Sequence, residues 1–180
     1  MKKIAITGGI GAGKSEVGKV LRKKNFTVVD SDEIVKELHE RKEVREKIME
    51  IFGSLEKEEI AKIAFSDSKK RIALENFLHP LVKEEIGKVK EKILFVEIPL
   101  LFEAGMEKKF DFVVAVSASE EKRIERMKNK GMAGEEALKR IKAQLSDSER
   151  VKKADLVIDN NGNLRELEVQ VEKLVKKVMK

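Results

Sequence analysis

Hydrophobic and polar positions follow two alternating patterns along the chain. Short apolar runs rich in Val, Ile or Phe predict buried parallel strands. Apolar residues at helical spacing separate these runs, and Asn163 with Glu166 forms a capping-box signal before the last helix. The pattern predicts an α/β fold with three layers and a five-stranded parallel sheet. The predicted strands are Lys3–Thr7, Thr27–Asp30, Ile93–Ile98, Phe112–Ser117 and Leu156–Asp159.

Two segments interrupt this alternation. Residues 31–90 have no strand pattern and predict a helical subdomain that binds a substrate, with Pro80 starting a new helix. Residues 128–150 are strongly basic and predict a lid. The remaining residues, 1–30, 91–127 and 151–180, form the predicted core of a single domain. The helical patterns of the subdomain are Ile34–Leu38, Val44–Phe52, Ile60–Phe65, Ile72–Leu78 and Leu81–Val89.

The stretch between the first strand and the first helix satisfies G-x-x-x-x-G-K-[ST]. Glycines allow successive backbone N–H groups to point at a phosphate, and the positive end of the following helix adds to that field. Lys14 can reach the β- and γ-phosphates, and the Ser15 hydroxyl can bind Mg²⁺. The sequence therefore predicts a site for a nucleoside triphosphate and Mg²⁺ rather than a glycine-rich turn that binds nothing. The predicted nucleotide-binding residues here are Gly8, Gly9, Gly11, Ala12, Gly13, Lys14, Ser15 and Glu16.

Carboxylates stand at the ends of two predicted strands, where open α/β sheets bind ligands. Asp30 and Asp32 flank Ser31 after the second strand, and Glu97 is near the end of the third. One aspartate can accept the proton of an attacking hydroxyl, while Asp30 and Glu97 can help to hold Mg²⁺, Glu97 through water. The alternatives are a helix cap at Asp30 or Ser31 and a merely solvated Glu97.

Arg140 and Gln144 lie four residues apart, on one face of a predicted lid helix. An arginine over the transferring phosphate would stabilise transition-state charge. The alternative is an ordinary solvated basic helix. Neither His39 nor His79 shows metal-ligand spacing.

Composition limits the possible functions. The chain has 180 residues, 41% hydrophobic and 40% charged, with no Cys or Trp and a net charge of +6. This charge suits an anionic ligand, but basic and acidic residues are mixed, which does not favour nucleic acid. We expect a cytoplasmic monomer with no membrane segment. The abundance of Lys and Glu is typical of heat-adapted proteins.

Three function classes can use such a loop. A signalling GTPase is excluded because N-K-x-D is absent, since Asn129 and Lys130 are followed by Gly131 and Met132. A small-molecule kinase, including a nucleoside monophosphate kinase, fits a short chain with a basic lid. A nucleotide sensor without transfer is the remaining alternative.

Further motifs occur in a fixed order along the chain. They are Thr7–Ser15, Asp30-Ser31-Asp32, Leu78-His79-Pro80, Ile98–Glu103, Ala137–Gln144 and Ala154–Gly162. With these six elements, nearly the whole chain resembles the dephospho-coenzyme A kinase family.

The resemblance implies transfer of the γ-phosphoryl group of ATP to the ribose 3′-hydroxyl of dephospho-coenzyme A, the last step of coenzyme A biosynthesis. It implies that Asp32 is the base, that Lys14 and Arg140 act on the phosphates, and that Asp32 and His79 face the acceptor. The loop that would border the adenine is Asn160, Asn161 and Gly162. The segment that would line the acceptor side is Leu100, Leu101, Phe102 and Glu103.

The chain departs from the family pattern at three positions. Glu16 follows Ser15, where the family usually has Thr, and an acid there weakens the positive field unless it points away. Lys57 and Lys130 stand near positions where arginine is usual. Lysine keeps the charge but loses bidentate geometry.

Overall fold

The computed structural model describes the backbone of residues 1–180 and every side chain except that of Phe65. The described chain divides into two compact units. The first unit comprises Met1–Val29 and Glu91–Lys180, and the second comprises Asp30–Lys90.

The strands of the described backbone form one five-stranded sheet in the order β2-β3-β1-β4-β5. The central strand β1 pairs in parallel with β3 and with β4, and β4 pairs in parallel with β5. The predicted strands are confirmed to within one residue at each end. The strands are β1 Lys2–Thr7, β2 Thr27–Asp30, β3 Ile93–Glu97, β4 Phe112–Ser117 and β5 Leu156–Asp159.

Helices occupy most of the remaining chain. In chain order they are α1 Lys14–Lys23, α2 Ser31–Leu38, α3 Lys42–Phe52, α4 Lys57–Ser66, α5 Ser68–Lys88, α6 Glu120–Lys128, α7 Gly134–Lys142, α8 Asp147–Lys153 and α9 Leu164–Val178. The predicted Asn163 cap of the last helix is confirmed, because Asn163 Oδ1 accepts from the Glu166 N–H at 3.1 Å. The Glu166 side chain bonds to the Asn163 side chain, since Asn163 Nδ2 donates to Glu166 Oε1 at 2.7 Å.

The core of the first unit lies between β1 and the helices α1 and α9. Ile4 and Ile6 of β1 are fully buried and belong to one apolar cluster with Leu21 of α1 and Leu174 of α9. Each such side chain contributes about 1.5–3 kcal/mol on burial. This packing fixes the end of β1 and the start of α1, which is where the phosphate-loop motif lies.

The second unit is entirely helical, as predicted, and α5 packs against α2, α3 and α4. The predicted start of a new helix at Pro80 is wrong, because α5 continues through that residue. A proline inside a helix costs about 3 kcal/mol. Leu78, Val82 and Ile86 are buried at four-residue intervals on both sides of Pro80, and this apolar face favours one continuous helix.

Candidate active site

Two glycines of the phosphate loop have left-handed backbone conformations. Gly11 has φ +76° and Gly13 has φ +100°. A Cβ at Gly11 would lie 2.7 Å from the carbonyl oxygen of Arg123, and a Cβ at Gly13 would collide with Nδ2 of Asn160. Both conformation and space therefore require glycine.

Side chains from α6 and from the segment after β5 hold the carbonyl groups of this loop. Arg123 Nε donates to the Ile10 carbonyl at 2.8 Å. Arg126 Nη1 donates to the Ala12 carbonyl at 3.1 Å. Asn160 Nδ2 donates to the same Ala12 oxygen at 2.8 Å. Three side chains thus fix the direction of two peptide groups.

The fixed carbonyls determine where the loop's amides point. Because a peptide group is planar and trans, the N–H groups of Gly11 and Gly13 point away from the side that α6 covers. Gly13 is the N-cap of α1, and no side chain caps this helix end. Lys14 donates from Nζ to the Gly8 carbonyl at 2.8 Å. The loop therefore presents donors, an ammonium group and a helix N-terminus to an anion.

Arg123 is 4% exposed, and its burial lowers the pKa of the guanidinium. The nearby charge of Asp147 opposes this shift and that of Arg150 adds to it. Because an arginine pKa begins far above neutrality, Arg123 keeps its charge and contributes to the positive field behind the loop.

The strand-end carboxylates have different surroundings. Glu97 is 3% exposed, lies against Gly18 of α1 and pairs with Arg22 at 3.7 Å, so the solvated alternative is wrong. Asp30 is the N-cap of α2 and accepts from the Asp32 N–H at 2.9 Å, which confirms the capping alternative for Asp30. The side chain of Asp32 is exposed in the first turn of α2.

The lid helix α7 reaches the phosphate loop through Gln144, just beyond its end. Gln144 Oε1 accepts a hydrogen bond from the Ile10 N–H at 2.8 Å. Arg140 is exposed and pairs with Glu136 on its own helix at 2.7 Å. The predicted lid arginine therefore stands on an element that contacts the loop.

The segment after β3 is partly interior. Leu101 is fully buried and Phe102 is 7% exposed, whereas Leu100 is 48% exposed. Leu100 thus remains available to a ligand, while Leu101 and Phe102 support the segment from inside. Glu103 binds Arg150 at 2.8 Å. His79 is a mid-helix residue of α5, in the second unit.

The other predicted nucleotide-binding positions are also structured. Asn161 Oδ1 accepts from the Ser119 N–H at 2.8 Å, which joins the segments after β5 and β4. A Cβ at Gly162 would collide with Glu166. Glu16, one of the departures from the family pattern, pairs with Lys19 at 2.8 Å, so its negative charge is compensated locally.

A cleft of about 500 Å³ lies beside the phosphate loop in the first unit. The ends of β4 and β5 and the start of α6 form part of its lining, and Gln144 and Leu145 form another part.

The arrangement that supports the loop was not predicted from the sequence. Neither Arg123 nor Arg126 was predicted as a site residue, and Asn160 was expected only to border the adenine. Their i,i+3 spacing on α6 puts both arginines on one helix face, which is the signal that could have indicated a shared partner. That partner, the phosphate loop, is more than a hundred residues away along the chain.

Comparisons with known proteins agree with this geometry. Residues 2–166 match the sequence profile of a family described as Dephospho-CoA kinase. The chain is 38% identical to a dephospho-CoA kinase of Fusobacterium nucleatum subsp. nucleatum over 183 residues, covering 94% of this chain and 95% of that protein.

Solved structures show the same likeness. A Thermus thermophilus protein is 36% identical, with a TM-score of 0.89, and the match covers 99% of this chain and 98% of that one. A dephospho-CoA kinase from Campylobacter jejuni is 26% identical, with a TM-score of 0.68 and the same two coverages.

A parallel sheet whose central strand leads through a phosphate loop into α1 defines the class of P-loop kinases. Within that class, the chain belongs to the dephospho-CoA kinase family.

No helix among the described residues has the length and apolar character needed to cross a membrane.

Proposed function

We propose that this chain transfers the γ-phosphoryl group of ATP to the ribose 3′-hydroxyl of dephospho-coenzyme A, giving coenzyme A and ADP. The family to which the chain belongs has dephospho-CoA kinase activity, the last step of coenzyme A biosynthesis. The observation that supports transfer by this chain is the braced phosphate loop, with its amides and Lys14 directed to one side.

The phosphate loop fits the triphosphate of ATP. Its glycines leave no room for side chains, so backbone N–H groups can approach phosphate oxygens closely. The N-terminus of α1 and Lys14 favour the negative charge. Asn161 and Gly162 are proposed to border the adenine.

Magnesium fits the oxygen donors available at this site. Ser15 lies in the first turn of α1, and the buried carboxylate of Glu97 lies against the same helix. Asp30 is proposed as a further carboxylate ligand. Mg²⁺ prefers oxygen ligands and keeps several waters, which suits the indirect contact proposed for Glu97. When bound, the ion neutralises charge on the β- and γ-phosphates. Ser15 would supply a hydroxyl oxygen to the ion, and Glu97 would supply a carboxylate oxygen through water.

The acceptor's proton is proposed to pass to Asp32. Its exposed carboxylate, at the start of α2, is an acceptor of suitable charge for the ribose 3′-hydroxyl. Arg140 is proposed to leave Glu136 and stabilise charge on the transferring group. His79 and Leu100 are proposed contacts of dephospho-coenzyme A.

An acceptor panel tests this function. Purified chain with γ-labelled ATP and Mg²⁺ is given dephospho-coenzyme A, a set of nucleoside monophosphates, or no acceptor. Labelled coenzyme A, with little transfer to the monophosphates, is the expected result. Preferential labelling of a monophosphate would make the chain a nucleotide kinase, and nucleotide binding without any labelled product would make it a sensor.

A further inference from the structure

The backbone of Leu145, just beyond the lid helix α7, is held on both sides by one ion pair. Glu103 Oε1 accepts from the Leu145 N–H at 3.1 Å. Arg150 Nη1 donates to the Leu145 carbonyl at 3.0 Å. Arg150 Nη2 also donates to the same Glu103 oxygen at 2.8 Å, which closes the arrangement.

The two members of this pair depend on each other. The Arg150 side chain is 0% exposed, whereas that of Glu103 is 24% exposed. A buried guanidinium without a carboxylate is strongly unfavourable, and removal of one partner from a buried pair is therefore costly. Glu103 and Arg150 therefore act together as one ion pair rather than as two separate contacts.

Hydrogen bonds add to apolar packing at this end of the lid, where Ile141 of α7 and Ile10 of the phosphate loop pack in one apolar cluster. The cleft of about 500 Å³ runs along Gln144, Leu145 and Ser146. Leu145 itself is only half-buried. The hydrogen bonds of the Leu145 N–H and carbonyl group both go to this ion pair, so the pair sets the direction of the Leu145 backbone.

The residue directly before Leu145 contacts the phosphate loop. Gln144 precedes Leu145, and its Oε1 accepts from the Ile10 N–H at 2.8 Å. On the other side of Ile10, Arg123 holds the carbonyl oxygen. The position of Leu145 therefore sets where Gln144 can hold Ile10.

We propose that Glu103 and Arg150 are positioning residues for the phosphoryl donor, acting through Leu145 and Gln144 on Ile10 of the phosphate loop. This proposal rests on the proposed function for the reaction concerned. It gives Glu103, expected from the family resemblance to face the acceptor, a role on the nucleotide side. Loss of either charge should therefore weaken nucleotide binding and leave the affinity for dephospho-coenzyme A nearly unchanged.

The test compares Arg150→Met, Arg150→Lys, Glu103→Gln and the double variant Glu103→Gln/Arg150→Met with the wild type. Calorimetry gives the dissociation constant of ADP, and kinetics give kcat and the KM of each substrate. We expect Arg150→Met and Glu103→Gln each to raise the ADP dissociation constant about tenfold, the effect of about one buried hydrogen bond, with the KM of dephospho-coenzyme A within about twofold. The double variant should raise the ADP dissociation constant no more than the weaker-binding single variant does. Arg150→Lys should restore part of the ADP affinity that Arg150→Met loses.

Two further variants make the test specific. Lys152→Met changes an exposed base on the same helix and should bind ADP like the wild type. Gln144→Met removes the acceptor of the Ile10 N–H without altering the buried pair, so it must reproduce the loss even if Arg150→Met fails to fold.

The proposal is overturned if Glu103→Gln raises only the KM of dephospho-coenzyme A, or if Gln144→Met binds ADP like the wild type. Additive effects in the double variant would also contradict it. Failure of the proposed function would be seen separately, as a wild-type chain that binds ADP but forms no coenzyme A. The ADP dissociation constants of the variants would still test the role of the ion pair in that case.

Discussion

Asn160 and Ala12 are joined by a hydrogen bond of 2.8 Å from the amide Nδ2 to the backbone carbonyl, across 148 positions of sequence. Asn160 is 6% exposed, so this bond is shielded from water. It ties the phosphate loop to the segment after β5, while α6 holds the loop through Arg123 and through Arg126, which donates to the same Ala12 oxygen. The loop geometry is therefore a property of three distant elements together.

Asn160→Asp should weaken nucleotide binding, because it replaces a donor by a carboxylate beside a carbonyl oxygen and beside the phosphate site. We expect the ADP dissociation constant to rise about tenfold or more, which is the scale of an unsatisfied buried group. Calorimetry checks this. Asn129→Asp, an exposed change of the same chemistry at the end of α6, is the control and should bind ADP normally.

Gly13→Ala should abolish phosphoryl transfer and lower the melting temperature. The new Cβ would meet Asn160 in a backbone conformation, φ +100°, that disfavours alanine. Gly53→Ala is a matched control, since Gly53 has φ +74° but no atom within 4 Å of an added Cβ. If the two variants show equal decreases in melting temperature and both keep activity, the collision with Asn160 does not affect function.

Asp32→Asn should lower kcat by about a hundredfold if the carboxylate accepts the proton of the acceptor. ATP binding should remain nearly intact, because the proposed role concerns the acceptor. Glu33→Gln, the next residue in the first turn of α2, is the control and should keep wild-type kcat. An Asp32→Asn enzyme with normal kcat would leave Asp32 as an ordinary first-turn residue of that helix.

Arg140→Ala should lower kcat more than it changes the KM of either substrate, since the proposed interaction forms only in the transition state. The guanidinium is exposed and pairs only with its neighbour Glu136 among the contacts of the described residues, so its loss should not affect folding. Lys139→Ala, an exposed base on the same helix, serves as the comparison. A rise in KM alone would make Arg140 a plain binding residue.

The second unit should lose stability on mild acidification through His39. Burial is the main cause that lowers the pKa of His39, the charge of Lys57 adds to it, and Glu40 opposes it. The folded chain therefore favours the neutral ring. The stabilising contribution is present above the unfolded pKa and is lost as the pH falls through the lowered folded value.

Urea unfolding at several values between about pH 7.5 and pH 5 measures this contribution. His39→Gln should remove the part of the pH dependence that falls in this window. Equal slopes for wild type and variant would assign the dependence to other groups.

Much of the fold could be predicted from local pattern. The runs at 93–97 and 112–117 are apolar because both faces of a parallel strand are buried, so their strand character is visible in sequence. The Asn163 cap was visible for the same kind of local reason. Pro80 was misread because its effect depends on tertiary packing, where the buried face of Leu78 and Val82 outweighs the local preference.

The site could be predicted only as far as motifs are local. The Gly8–Ser15 loop is contiguous in sequence, so its chemistry can be predicted from neighbouring residues. The contacts of Arg126, Asn160 and Gln144 with that loop join residues more than a hundred positions apart, and no local pattern encodes them. Likewise, the burial of Leu101 became clear only from the packed structure.

The most direct test of the account follows the label from ATP to product in one reaction. Wild-type chain with γ-labelled ATP, Mg²⁺ and dephospho-coenzyme A is quenched at intervals, and labelled coenzyme A and ADP are quantified together, with Lys14→Ala as the blank. The account predicts one labelled coenzyme A, phosphorylated at the ribose 3′ position, for each ADP formed, and no transfer by the blank. Formation of ADP without labelled coenzyme A, or equal transfer by Lys14→Ala, would contradict it.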